Sequence, residues 1–255
     1  MYRLKSEPAL YKTTTLDLLL RYDKAWGGEA QCTVNGERNS GTTFLAELLR
    51  KHGLTVFDGL CVYKLQLAWK HDFPGPELKL VGKNVVNFFI VRKLENWLIT
   101  THNKPHHLGT FGKPFPNFLT EKQTLCTHWT EATSIKTNKQ VNHYDENKTI
   151  FEIRYEKLKA YLRYFNENKN VVIVSLEYLQ DENNCKHFLR EISNKYGFEF
   201  STIVGSVDKH VKTGEIGVKN LRYETKITQV EEAIINSHKD KELEKFVNTL
   251  TFVMK

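Results

Sequence analysis

Two glycines set the chemistry that this 255-residue chain offers first. Gly36 and Gly41 enclose four residues, and the hydroxyl residues Thr42 and Thr43 follow directly. In such a frame glycines let consecutive backbone N–H groups converge on an oxyanion, and a helix starting at its end adds a favourable dipole. Within it Arg38 supplies a cation, and Asn39 and Ser40 supply short polar side chains. Loops that hydrolyse nucleoside triphosphates carry a Lys where Thr42 stands. Without that charge between the β- and γ-phosphates, ordinary ATP or GTP hydrolysis is not expected. The competing local reading is a Ser/Thr-capped helix after a glycine turn.

A phosphate-cradling loop needs a buried strand leading in and a helix leading out. Residues 30 to 35 read as the strand. Phe44, Leu45, Leu48 and Leu49 recur at helical spacing, and Gly53 provides a stop. Further short apolar runs at 54–57, 65–69, 85–91 and 171–176 have the β-branched character of buried parallel strands. Helical candidates lie between them at 94–102, 156–165 and 184–196. The alternation predicts an α/β fold with three layers, P-loop-like, its central and mainly parallel β-sheet flanked by helices. One domain over 1–255 is expected, with an N-terminal extension at 1–24 that includes a short helix at 16–22. A substrate-side insertion is expected at 103–148, with a helix at 119–138.

Hydrophobic residues make up 40% and charged residues 26%, which excludes a disordered or collagenous chain. The formal charge of +7 favours anionic partners, although a solvated basic surface explains it equally well. Four widely spaced cysteines offer no zinc-ligand pattern, so no metal is expected. No uninterrupted apolar run reaches membrane-spanning length, and no signal peptide is read, so a soluble protein of the cytoplasm or another reducing compartment is expected. The segment 150–165 interleaves Arg154, Lys157 and Lys159 with Tyr155 and Tyr161. It suits a sulfated sugar or a nucleic-acid strand, but an amphipathic helix with snorkelling lysines is the preferred reading.

The stretch CTVNGERNSGTTFLAELL resembles the 5′-phosphosulfate loop of sulfotransferases that use 3′-phosphoadenosine 5′-phosphosulfate. That family usually places a basic residue directly before Ser-Gly-Thr-Thr, whereas Asn39 here separates Arg38 from Ser40. A second family signature, an Arg ending a strand and a hydroxyl residue eight positions on, is matched by Arg92 and Thr100 in FFIVRKLENWLIT. A guanidinium fork and a hydroxyl two helical turns away suit a phosphate. Trp97 between them reads as core packing. The stretch HVKTGEIGVKN resembles a basic, Gly-containing cofactor loop, one residue shorter, which would bring Lys212 and Gly214 to the 3′-phosphate.

The resemblance implies a sulfonate transfer from 3′-phosphoadenosine 5′-phosphosulfate to an acceptor hydroxyl or amine, without metal, releasing adenosine 3′,5′-bisphosphate. Arg38 to Thr43 would bind the phosphosulfate, and Arg92, Thr100 and Lys212 the 3′-phosphate. Lys70 and His71 are the catalytic candidates. Cytosolic members carry a Lys and a catalytic His in a similar turn about twenty residues before the Arg, and His71 precedes Arg92 by 21. The family has one residue between the two, whereas Lys70 and His71 are adjacent. The acceptor would be a small molecule or a carbohydrate. A P-loop kinase is disfavoured by Thr42, while a non-catalytic module binding nucleotide or nucleic acid on the same fold stays open.

Overall fold

The computed structural model describes residues 31–57, 71, 74, 84–104, 113–125, 145–200 and 226–255. The expected extension at 1–24, the strand at 65–69, Lys70 and Lys212 lie outside them. The chain runs β1 (Cys32–Gly36), α1 (Thr42–Lys51), β2 (Val56–Phe57), β3 (Val86–Val91), α2 (Leu94–Asn103) and α3 (Phe115–Thr120). It continues through β4 (Gln123–Leu125), β5 (Asp145–Lys148), α4 (Ile150–Glu167), β6 (Val171–Ser175) and α5 (Leu176–Leu179). Last come α6 (Glu182–Tyr196), α7 (Gln229–His238), α8 (Lys241–Thr249) and β7 (Phe252–Met254).

Among the described residues the main sheet has the order β2-β1-β3-β6-β7. The first four strands are parallel, and β7 runs antiparallel to β6. Every residue of β1, β3 and β6 is buried, as strands covered on both faces require. Alternation along β3 divides the core. Phe88 and Ile90 pack with Leu45, Leu48 and Leu49 of α1 and Phe188 and Leu189 of α6. Phe89 and Val91 face the other way, toward Trp97 of α2, Phe118 of α3, Tyr161 of α4 and Val247 of α8. The α/β class with helices on both faces is therefore the observed one.

Local sequence explains most of the boundaries. Arg50 and Lys51 in the last turn of α1 complement its dipole, and Gly53 follows at φ 86°. Helix α4 begins in a capping box, where Thr149 accepts from the Glu152 N–H and the Glu152 carboxylate accepts from the Thr149 N–H. Polar side chains also set the register of β1 against β3. Thr33 Oγ1 donates to Asn87 Oδ1 at 2.9 Å and accepts from Asn35 Nδ2 at 2.9 Å, all three residues being buried.

The expected helix at 119–138 is not found at its start. Helix α3 ends at Thr120, and residues 123–125 form β4, which pairs antiparallel with β5 through Gln123–Lys148 and Leu125–Asp145. The helix that does form begins at Phe115, behind Pro114, and buries Phe115, Phe118 and Leu119 in the main core. This part of the 103–148 stretch is thus built into the body of the fold.

Candidate functional site

In a parallel sheet, ligands bind beyond the carboxyl ends of the strands, where two neighbouring strands send their chains in opposite directions. Here that point lies between β1 and β3, because the next strand after β1 pairs on one side of it and β3 pairs on the other. The Gly36–Thr43 loop leaves β1 and Arg92 leaves β3 at this same place.

Both glycines are required by geometry. A Cβ on Gly36 would stand 2.5 Å from the Ile90 carbonyl oxygen and 2.6 Å from Ser40 Oγ. Gly41 has φ 102°, and a Cβ there would stand 2.8 Å from Leu176 Cδ1. Only glycine suits either position. Between them Asn39 also adopts a left-handed conformation, φ 63°. Its Nδ2 donates to Thr101 Oγ1 at 3.4 Å and to the Lys104 carbonyl at 3.3 Å. Ser40 is fully buried and donates its hydroxyl to the Glu37 carbonyl at 2.6 Å. In this conformation Asn39 and Ser40 hold the shape of the loop with their side chains. Helix α1 has Gly41 as its N-cap residue, with no side-chain cap and no acid in its first turn to offset the positive end of its dipole.

Two arginines belong to the loop. Burial pushes the Arg38 guanidinium down to about 9, and its backbone carbonyl accepts from Trp97 Nε1 at 2.7 Å. Arg92 Nη1 donates to the Asn39 carbonyl at 3.1 Å. Burial lowers Arg92 as well, against the opposing pull of Glu177, whose Oε1 lies 3.8 Å from Arg92 Nε. The Glu177 carboxylate also accepts from the Lys93 N–H at 3.1 Å and Asn96 Nδ2 at 2.9 Å, capping α2 from the end of the neighbouring strand β6. A phosphate approaching Arg92 would compete with this acid. Thr100 donates to the Asn96 carbonyl at 2.8 Å, and it is Thr101 that contacts the loop.

His71 is 3% exposed and sits against the loop, with Nδ1 2.9 Å from the Gly36 carbonyl oxygen. A carbonyl only accepts, so this contact keeps the proton on Nδ1 and leaves the basic lone pair of the neutral ring on Nε2. The His71 carbonyl in turn accepts from Lys157 Nζ at 2.7 Å. Trp97 is buried in the core, as expected.

Sequence reasoning missed the charged group beneath the loop. Arg154 Nη1 donates to Glu37 Oε2 at 2.7 Å, Nε to Glu244 Oε1 at 2.7 Å, and Nη2 to Glu244 Oε2 at 3.1 Å and to the Arg92 carbonyl at 2.8 Å. Its guanidinium also lies over the Trp97 ring, 5.0 Å from the centroid. Glu37, Arg154 and Glu244 are each at most 1% exposed. Burial pulls against the Arg154 charge, but Glu37 and Glu244 outweigh it and hold the guanidinium above its ordinary value. Burial pushes the Glu37 carboxyl up to about 7, against Arg154 and Lys157 and with help from Glu244. The preferred helix formed at 150–167, but Arg154 and Lys157 point inward and do not snorkel.

Among the described residues no cluster of His, Cys, Asp and Glu could hold a metal ion, and no helix is long and apolar enough to cross a membrane. Comparison with known proteins adds no relative: no family model matches the chain, no curated protein matches it, and no solved structure matches it.

Proposed function

We propose that the Gly36–Thr43 loop binds the phosphosulfate of 3′-phosphoadenosine 5′-phosphosulfate on a P-loop-like fold, and that the protein transfers the sulfonate to an acceptor hydroxyl or amine. The observation that carries this reading is the meeting of a glycine-framed loop and two partly buried arginines at the point between β1 and β3. The residues fit such a group. A bound anion would offset the burial of Arg38, and the loop N–H groups at the start of α1 suit oxyanions. The Glu37 carboxyl turns to Arg154, so the acid in the loop does not compete for them.

When bound, the donor supplies an activated sulfonate on a phosphate leaving group. His71 Nε2 takes the proton of the acceptor as its oxygen or nitrogen bonds to sulfur and the bond from sulfur to the bridging oxygen breaks. Arg38 and the loop amides hold the charge that grows on that oxygen. Arg92 discriminates the 3′-phosphate, and Thr100 joins it only if its hydroxyl rotates away from Asn96. None of these roles requires a metal ion.

A thermal-shift comparison tests the reading. Adenosine 3′,5′-bisphosphate should stabilise the protein well above AMP, with and without chelator. Arg92→Ala should remove about 1.5–3 kcal/mol of the difference, the worth of a hydrogen bond to a charged group. Equal stabilisation by both nucleotides overturns it, and a response that needs Mg²⁺ favours a kinase.

A further inference from the structure

Arg154 and Lys157 stand three residues apart on α4, on one helical face, and that face is turned inward. Burying two cations beneath the carboxyl ends of the central strands is expensive unless each is fully engaged. Arg154 is engaged with every part that carries the two loop arginines. It fixes Glu37, next to Arg38 in the chain, it holds the carbonyl of Arg92 itself, and it packs on Trp97, whose indole holds the carbonyl of Arg38. Lys157 holds the carbonyl of His71, whose ring is anchored on Gly36.

We infer that Arg154 and Lys157 are positioning residues for this site, Arg154 aligning the loop and both arginines for the anionic donor and Lys157 aligning His71 for proton transfer. The assignment of roles rests on the function proposed above, whereas the alignment of the loop does not. Glu244 from α8 supplies the second carboxylate, so that Arg154, Lys157, Glu37 and Glu244 sum to zero charge when both acids are ionised. Apolar side chains of similar volume often stabilise an interior as well as a buried ion cluster does, so stability alone is a weak reason for these contacts.

The test uses Arg154→Lys, Lys157→Met and Lys157→Arg in the full chain, each checked for folding. Hydrogen exchange is read at the Gly36–Thr43 amides and at β3 and β6. In Arg154→Lys the loop amides should exchange about tenfold faster while the strands keep their protection, and affinity for adenosine 3′,5′-bisphosphate should fall about tenfold. Lys157→Met should leave that affinity within about twofold yet lower kcat about tenfold and change the pH profile of kcat, with Lys157→Arg restoring both. If Arg154→Lys does not fold, Glu244→Gln replaces it, with the same expected acceleration of loop exchange. Unchanged loop exchange in the folded variant overturns the role of Arg154. Equal losses of affinity and turnover in Lys157→Met, or no rescue by Arg, overturn that of Lys157. Should the unaltered protein bind no bisphosphate, the proposed function and the two roles fall, and loop exchange still decides the alignment.

Discussion

Glu37 makes the stability of this protein depend on pH in a direction opposite to that of a simple buried ion pair. Its carboxyl is pushed up to about 7 in the fold by burial, against an ordinary value of 4.5. The folded state therefore binds more protons than the unfolded state between those values. The contribution of Glu37 is present in full below about 4.5 and is lost as the pH rises through 7. Proton linkage over these two values gives a loss of about 2 kcal/mol between pH 5.5 and pH 8. Glu37→Gln removes the titration while leaving an oxygen able to accept from Arg154 Nη1. Urea denaturation of both proteins at the two pH values isolates the effect, because every other titrating group is shared. The original protein should lose about 2 kcal/mol more than the variant on going to pH 8. Parallel behaviour, or an original protein that gains on the variant as pH rises, refutes the assignment and shows an ionised Glu37 held by Arg154.

Other outcomes follow from the same contacts. Arg154→Met strands Glu37 and Glu244 in the interior and should cost about 3–5 kcal/mol by denaturant titration at pH 8, and a loss below about 1 kcal/mol would contradict the fully buried geometry. Gly41→Ala meets both a left-handed φ and the Leu176 side chain, so a destabilisation of about 1–3 kcal/mol is expected. Leu176→Ala in the same chain should recover only the steric part of that loss. His71→Ala should lower sulfonate turnover by roughly 10² to 10⁴ with bisphosphate affinity nearly unchanged, and full turnover in a steady-state assay would remove His71 from the mechanism.

The framework of the site was legible because its signals are local. The glycine frame at 36 and 41, the helical spacing of Leu45, Leu48 and Leu49, and the apolar run ending at Arg92 each sit within a few residues of what they specify. The Thr149–Glu152 capping box was equally local, and reading it would have placed the start of α4 six residues earlier than 156. The charge cluster was not legible. Arg154 and Lys157 on an amphipathic helix look like solvated residues until their partners are known, and Glu244 lies 90 positions away from Arg154. Glu37 did carry a signal, an acid directly behind a buried strand in the loop proposed to take an anion. Glu177 carried none, since it caps a helix that starts 83 residues before it.

The spacing of the Glu37, Arg154 and Glu244 cluster also bears on the order in which the chain can mature. Its contacts span 117 and 90 positions, so each closes a very long loop. During synthesis β1, α1 and β3 emerge early and can associate through nearby apolar surfaces. Until residue 244 leaves the ribosome, Arg154 lacks one carboxylate, and until residue 154 does, Glu37 has no guanidinium to satisfy it. The nascent loop can therefore adopt its glycine turns long before it is held in register. Completion of the cluster therefore requires α8 to have emerged and docked, since Glu244 lies on it.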